Sequence, residues 1–163
     1  MTGVRKGSQD MTEVPVRVWR VGRSSESRYL VVLRDGSGAV LPMTIGPCEA
    51  IAIWAAMRDR DAESGPYVSG THDLLCALIE RLGGRLTKIV IDDLWNEVYY
   101  AKLHVARDGQ TLTIDARPSD SVAVALRTKA PLFVVADVLE AANAPQDEDS
   151  EEIAPTDTDV SDL

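Results

Sequence analysis

The chain reads as an α+β protein: a mostly antiparallel sheet or partial barrel with three packed helices, filling residues 14–142. Three observations predict this. Strand-like runs outnumber helical ones, short hairpin-type turns join most neighbouring strands, and helices are interspersed among them. A length of 163 residues suits one domain with a substantial core. No repeat of solenoid length divides it.

Residues 1–13 mix Arg5, Lys6, Asp10 and Glu13 without an apolar stretch, which describes a flexible N-terminus and not a signal peptide. Strands are expected over 14–21 and 28–34, the second centred on Tyr-Leu-Val-Val-Leu. Asp35-Gly36-Ser37-Gly38 turns the chain into a third, 39–45, where Pro42 lacks a ladder donor and argues for an edge or a bulge. Gly46-Pro47 opens a helix over about 48–60, proline being suited to a first helical position. Its eight consecutive apolar residues, Ala50 to Met57, place it centrally in the fold or against a second subunit. Thr71 is expected to cap a second helix reaching about Leu82. Leu74, Leu75, Leu78, Ile79 and Leu82 form its apolar stripe, and Gly83-Gly84 ends it.

Two long strands follow, 86–93 and 98–107, and Asp108-Gly109 turns into another over 111–115. In the middle strand Tyr99, Ala101, Leu103 and Val105 share one face, and Tyr100, Lys102 and His104 the other. A helix rich in small residues over about 119–128, a short strand over 131–135 and a last helical turn or two over 136–142 complete the domain.

Charge is unevenly spread. The net charge is −9, yet eight of the 26 acidic residues fall within 147–163, where there is no basic one. The remainder holds 17 basic against 18 acidic residues and is nearly neutral. Residues 143–163 carry too little apolar surface to offset their ordering entropy, so a disordered acidic tail is expected. Such a tail solubilises, or it mimics a polyanion at a basic site. No apolar run approaches the ~18 residues of a membrane span. Cys48 and Cys76 lie in apolar helical patterns without metal-ligand spacing and read as buried free thiols in a reducing, cytoplasmic setting.

Nucleotide-binding glycine loops, HExxH, CxxC and GxSxG are absent, and two histidines give little material for a Ser-His-Asp triad or a multi-histidine zinc site. What remains is a polar cluster at each of three helix starts: Gly46-Pro47-Cys48-Glu49, Thr71-His72-Asp73 and Arg117-Pro118-Ser119-Asp120-Ser121. Free amides at helix starts attract anions, and converging starts make phosphate sites. The same residues also serve as ordinary caps and first-turn acids. His72 is neither a preferred cap nor a core residue, and beside Asp73 it suits a general base. Arg117 sets a permanent cation beside Ser119, Asp120 and Ser121; cation and amides suit a phosphate, and carboxylates suit a divalent metal. His104, with Lys102 and Tyr100, reads as part of a solvated strand face.

The segments LPMTIGPCEAIAIWAA (41–56), THDLLCALIERLGG (71–84), KIVIDDLWNEVYYAKLHV (88–105) and IDARPSDSVAVALRTKAPLFV (114–134) together resemble the bifunctional nuclease domain family. The resemblance implies a compact α+β fold, a homodimer, and nuclease activity toward RNA and DNA. It points to Glu49, His72, Asp73, Arg117, Ser119, Asp120 and Ser121 as the matching polar positions. Residues 22–28 and 61–70 are peculiar to this chain, and Asn96-Glu97-Val98 replaces a Gly-Thr-Phe type of turn.

Two functions follow. The first is a nuclease of low sequence specificity that binds nucleic acid weakly and without a membrane partner. In it His72, Asp73, Asp120 and Glu49 are catalytic, with Arg117, Ser119, Ser121 and Thr71 holding substrate. Asp120, with Asp73 or Glu49, holds Mg²⁺ or Mn²⁺ or orients water, His72 moves a proton and Arg117 stabilises developing charge. The second is a non-catalytic dimeric binding or regulatory module with an anion-binding pocket, which the near-neutral body favours.

Overall fold

The computed structural model describes residues 11–24, 26–58 and 70–143. Two three-stranded meanders make up most of the sheet. The first is β1 (Glu13–Arg23), β2 (Tyr29–Asp35) and β3 (Val40–Ile45); the second is β4 (Arg85–Trp95), β5 (Val98–Arg107) and β6 (Gln110–Ala116). A short strand, β7 (Leu132–Val135), joins them, antiparallel to β1 and parallel to β4. The order is β3-β2-β1-β7-β4-β5-β6, an open mixed sheet and not a partial barrel. One parallel pair arises because a helical crossover separates β6 from β7. Four apolar residues carry no alternation, so β7's partners were not readable locally.

The turns follow side-chain chemistry. Asp35 accepts the backbone N–H groups of Ser37 (2.9 Å), Gly38 (2.8 Å) and Ala39 (2.8 Å), closing the β2–β3 turn. Both hairpins of the second meander use left-handed residues, Asn96 and Glu97 in one and Asp108 and Gly109 in the other. Pro42 lies in an edge strand, as expected. That edge is covered: the Asn143 side chain accepts from the Val40 N–H (3.3 Å) and donates to its carbonyl (2.9 Å).

Four helices accompany the sheet, one more than expected: α1 (Pro47–Arg58), α2 (Thr71–Arg81), α3 (Pro118–Thr128) and α4 (Ala136–Asn143). The last is a full helix because Val138 and Leu139 are buried. Ile53 of α1 and Val122 and Val124 of α3 pack with Leu33, Leu41, Ile89 and Ile91 in a core without solvent contact. The apolar run of α1 is not central: it buries Ala50, Ile53 and Ala56 and leaves Ile51 exposed. None of α2 is fully buried, and Leu74, Leu75, Leu78 and the following Leu82 are exposed.

Gly70, not Thr71, caps α2. The Asp73 carboxylate folds back to accept the Gly70 N–H (2.9 Å), so no hydroxyl cap is needed. The expected glycine stop does form: Gly83 takes a positive φ of 79°, and Gly84 N–H reaches the Ile79 carbonyl at 2.8 Å. Cys48 is exposed and Cys76 half-buried, both free. Burial was misjudged at Cys48 because the start of α1 faces outward. The expected flexible N-terminus and acidic tail lie, but for residues 11–13 and 143, outside the described residues. No helix among these is long and apolar enough to cross a membrane.

Candidate active site

Three helix starts meet through side chains. Arg117, the N-cap of α3, has extended backbone (φ −68°, ψ 142°), and Pro118 begins the helix. Three residues on, Asp120 accepts from Arg117 Nε at 2.7 Å and Nη2 at 3.2 Å. Arg117 Nη2 also lies 2.8 Å from Glu49 Oε1 in the first turn of α1. The other end of Asp120 meets the first turn of α2: Oδ1 is 3.0 Å from His72 Nε2. Glu49, Arg117, Asp120 and His72 are therefore one hydrogen-bonded chain. Arg117 is 67% exposed, whereas the Glu49 and Asp120 side chains that hold it are 15% and 28% exposed, so the cation faces solvent more than its partners do.

Burial pushes the Asp120 carboxyl up, but hydrogen bonds from Arg117 and His72 and the charge of Arg117 outweigh it, and the net shift is downward. Hydrogen bonding to Asp120 in turn raises Arg117 further above its ordinary value. An ionised carboxylate on Nε2 favours the Nε2–H tautomer and leaves the Nδ1 lone pair available. The contacts of Arg117 to Asp120 and Glu49 use Nε and Nη2, leaving Nη1 for an anion.

Gly46 has a part that sequence reasoning missed. A Cβ there would sit 2.3 Å from Glu49 Oε2, so the absent side chain is the space into which Glu49 folds back toward Arg117. The Gly-Pro pair before Glu49 was the available signal, read only as a helix start.

The remaining candidates lie elsewhere. Asp73 binds Arg127 Nε (2.9 Å), and Arg127 Nη1 donates to the carbonyls of Ala52 (3.1 Å) and Ala123 (2.9 Å). This ties α2 to α1 and α3. Thr71 is exposed at the start of α2. Ser119 and Ser121 are buried, and the Ser121 Oγ has no hydrogen-bond partner. Of the carboxylates expected to serve Mg²⁺ or Mn²⁺ (Asp120 with Asp73 or Glu49), Asp120 and Glu49 share Arg117, and Asp73 pairs with Arg127. Among the described residues no group of three or more His, Cys, Asp or Glu suits a metal ion. His104 alternates with buried Leu103 and Val105, on the sheet face away from them, and burial lowers its pKa.

The family model for the bifunctional nuclease domain matches residues 31–147. An uncharacterized protein of Mycobacterium tuberculosis, matched in two strains, is 38% identical over 147 residues, 90% of this chain and 85% of its own length. Bifunctional nuclease 1 of Oryza sativa is 29% identical over 123 residues, 72% of this chain and 36% of its own length. Bifunctional nuclease 2 of Arabidopsis thaliana is 23% identical over 111 residues, 66% of this chain and 32% of its own length.

Proposed function

The chain belongs to the bifunctional nuclease domain family, and we propose that it hydrolyses phosphodiester bonds of RNA and DNA, with low sequence specificity, at the Glu49–Arg117–Asp120–His72 cluster. The convergence of three helix starts on one exposed guanidinium carries this reading. Each start adds free amides and a positive dipole end, and Arg117 adds a full charge where a phosphodiester would rest. Arg117 Nη1 binds a non-bridging oxygen and stabilises the charge that grows on it during attack. His72, its tautomer held by Asp120, takes the proton of the attacking water on Nδ1, and the bond from phosphorus to the leaving sugar oxygen breaks. Glu49 and Asp120 position Arg117. Charge stabilisation runs through the guanidinium; a divalent cation, if used, would be held by Glu49 and Asp120 and would supply Lewis-acid stabilisation of the same charge. Asp73 in this reading is a structural residue.

The protein acts as a homodimer, a reading supported by the exposed leucines of α2. A cytoplasmic setting is part of the same reading, supported by the two free cysteines. Cleavage of labelled single-stranded RNA and DNA by the full chain, at low salt in Mg²⁺, Mn²⁺ or EDTA, tests the reading. His72→Ala and Arg117→Ala are each expected to lower the rate by about 10²–10³-fold while folding normally. Anion binding without cleavage in any of these buffers would favour the binding module.

A further inference from the structure

We infer that the outer face of the β1–β2 pair, centred on Trp19, is the docking track for single-stranded nucleic acid, an inference that rests on the nuclease reading.

Across these strands Val18 faces Leu33, which is fully buried, so the neighbouring pair Arg17 and Arg34 points away from the core. Two like charges set directly opposite destabilise a sheet, yet here they lie opposite one another. Trp19, 44% exposed, follows on the same face by alternation, and the register shift between Val18 and Arg20 brings Arg20 there too, with the Arg34 guanidinium 5.2 Å and the Arg20 guanidinium 5.6 Å from the ring centre. Arg17 and Arg34 also line a depression of about 400 Å³ together with the Asp35–Gly38 turn, where the Asp35 carboxylate is taken up by the turn's own N–H groups. Arginines fit phosphates, and indole and guanidinium planes together form a flat platform on which bases of any identity stack.

The track lies on the sheet face opposite the helices, since α1 packs through Ile53 on the core face from which Arg17 and Arg34 point away, and its strands end near the start of α1. Arg23 at the end of β1 pairs with Tyr29, Tyr29 pairs with Ile45, and Ile45 runs into Gly46 and Glu49. Arg17 to Arg23 spans about 20 Å of strand. A neutral body thus offers a local cationic-aromatic surface, which overall composition conceals. The acidic C-terminal residues are the competing occupant, because Asn143 is bonded to Val40 and Val40 pairs with Arg34. They contain no aromatic group to use the indole, so the surface fits a nucleic acid better.

The test is binding of a fluorescent oligothymidylate of about 12 nucleotides to the full chain carrying His72→Ala, followed by anisotropy at several salt concentrations. Hydrolysis of a small chromogenic phosphodiester is measured in parallel with His72 intact. Trp19→Ala is expected to weaken binding about 5- to 100-fold, and Trp19→Phe to retain most of it. Arg17→Gln with Arg34→Gln should reduce the salt slope by about 1.4. Hydrolysis of the small diester should be unchanged by any of the three. Oligonucleotide affinity unmoved by both Trp19→Ala and the double arginine variant would overturn the proposal and leave the nuclease reading standing. Weakened binding together with no hydrolysis by the parent would uphold the track and remove the nuclease reading. Neutralising Asp147, Glu148, Asp149, Glu151 and Glu152 in the full chain supplies the last arm. A change in Trp19 emission there, with affinity indifferent to Trp19→Ala, would assign the surface to the acidic residues instead.

Discussion

Gly46 ties backbone to chemistry at the scale of one residue. Adding a methyl group there puts a carbon 2.3 Å from Glu49 Oε2, and the flexible Glu49 side chain yields first. Gly46→Ala is therefore expected to swing Glu49 away from Arg117 and lower cleavage about tenfold, while stability changes by less than about 1 kcal/mol. Urea titration beside the rate assay checks both halves. His72, Asp120, Arg117 and Glu49 were legible as candidates because a histidine at a helix start and an arginine just before one are unusual choices. Which of them touch was not legible: Asp73 is adjacent to His72 in sequence, yet it turns to Arg127 while His72 meets Asp120, 48 positions away.

At the scale of elements, Arg127 holds the helix layer together. Its guanidinium joins Asp73 on α2 to backbone carbonyls of α1 and α3, and its side chain is only 10% exposed. Replacing it with methionine leaves the Asp73 carboxylate without this cation and two carbonyls without these donors. A loss of about 2–3 kcal/mol is expected, read as a lower urea midpoint with an unchanged slope. Strands and hairpins were largely readable from alternation and from Asp-Gly, since those signals are local. The place of β7 between β1 and β4 was not, because it depends on where the crossover through α3 delivers four uniformly apolar residues. The cap of α2 was shifted by one residue for a related reason: a carboxylate three positions into the helix did the work assigned to Thr71.

On the scale of the whole molecule, the described residues leave α2 incompletely covered. Leu74, Leu78 and Leu82 are 59%, 48% and 63% exposed, a stripe that costs solubility unless a second copy covers it. Leu78→Lys is expected to convert a dimer to a monomer in sedimentation velocity, with the helical circular dichroism signal retained. A parent that sediments as a monomer would count against the homodimer. Net charge was the least informative sequence feature at this scale. Averaging over the chain gave −9, although Arg20 and Arg34 lie over one exposed indole and Arg17 lies opposite Arg34. Pairing across β1 and β2 creates that surface, and no single segment displays it.

The most direct test of the account is the cleavage of single-stranded RNA and DNA by four chains prepared alike: the parent, His72→Ala, Asp120→Asn and Asp73→Asn. The account predicts that the first two variants lose at least about 10²-fold in rate, whereas Asp73→Asn loses stability and keeps its rate at temperatures where it is folded. Equal rates in all four chains, or a folded Asp73→Asn as inactive as His72→Ala, would contradict it.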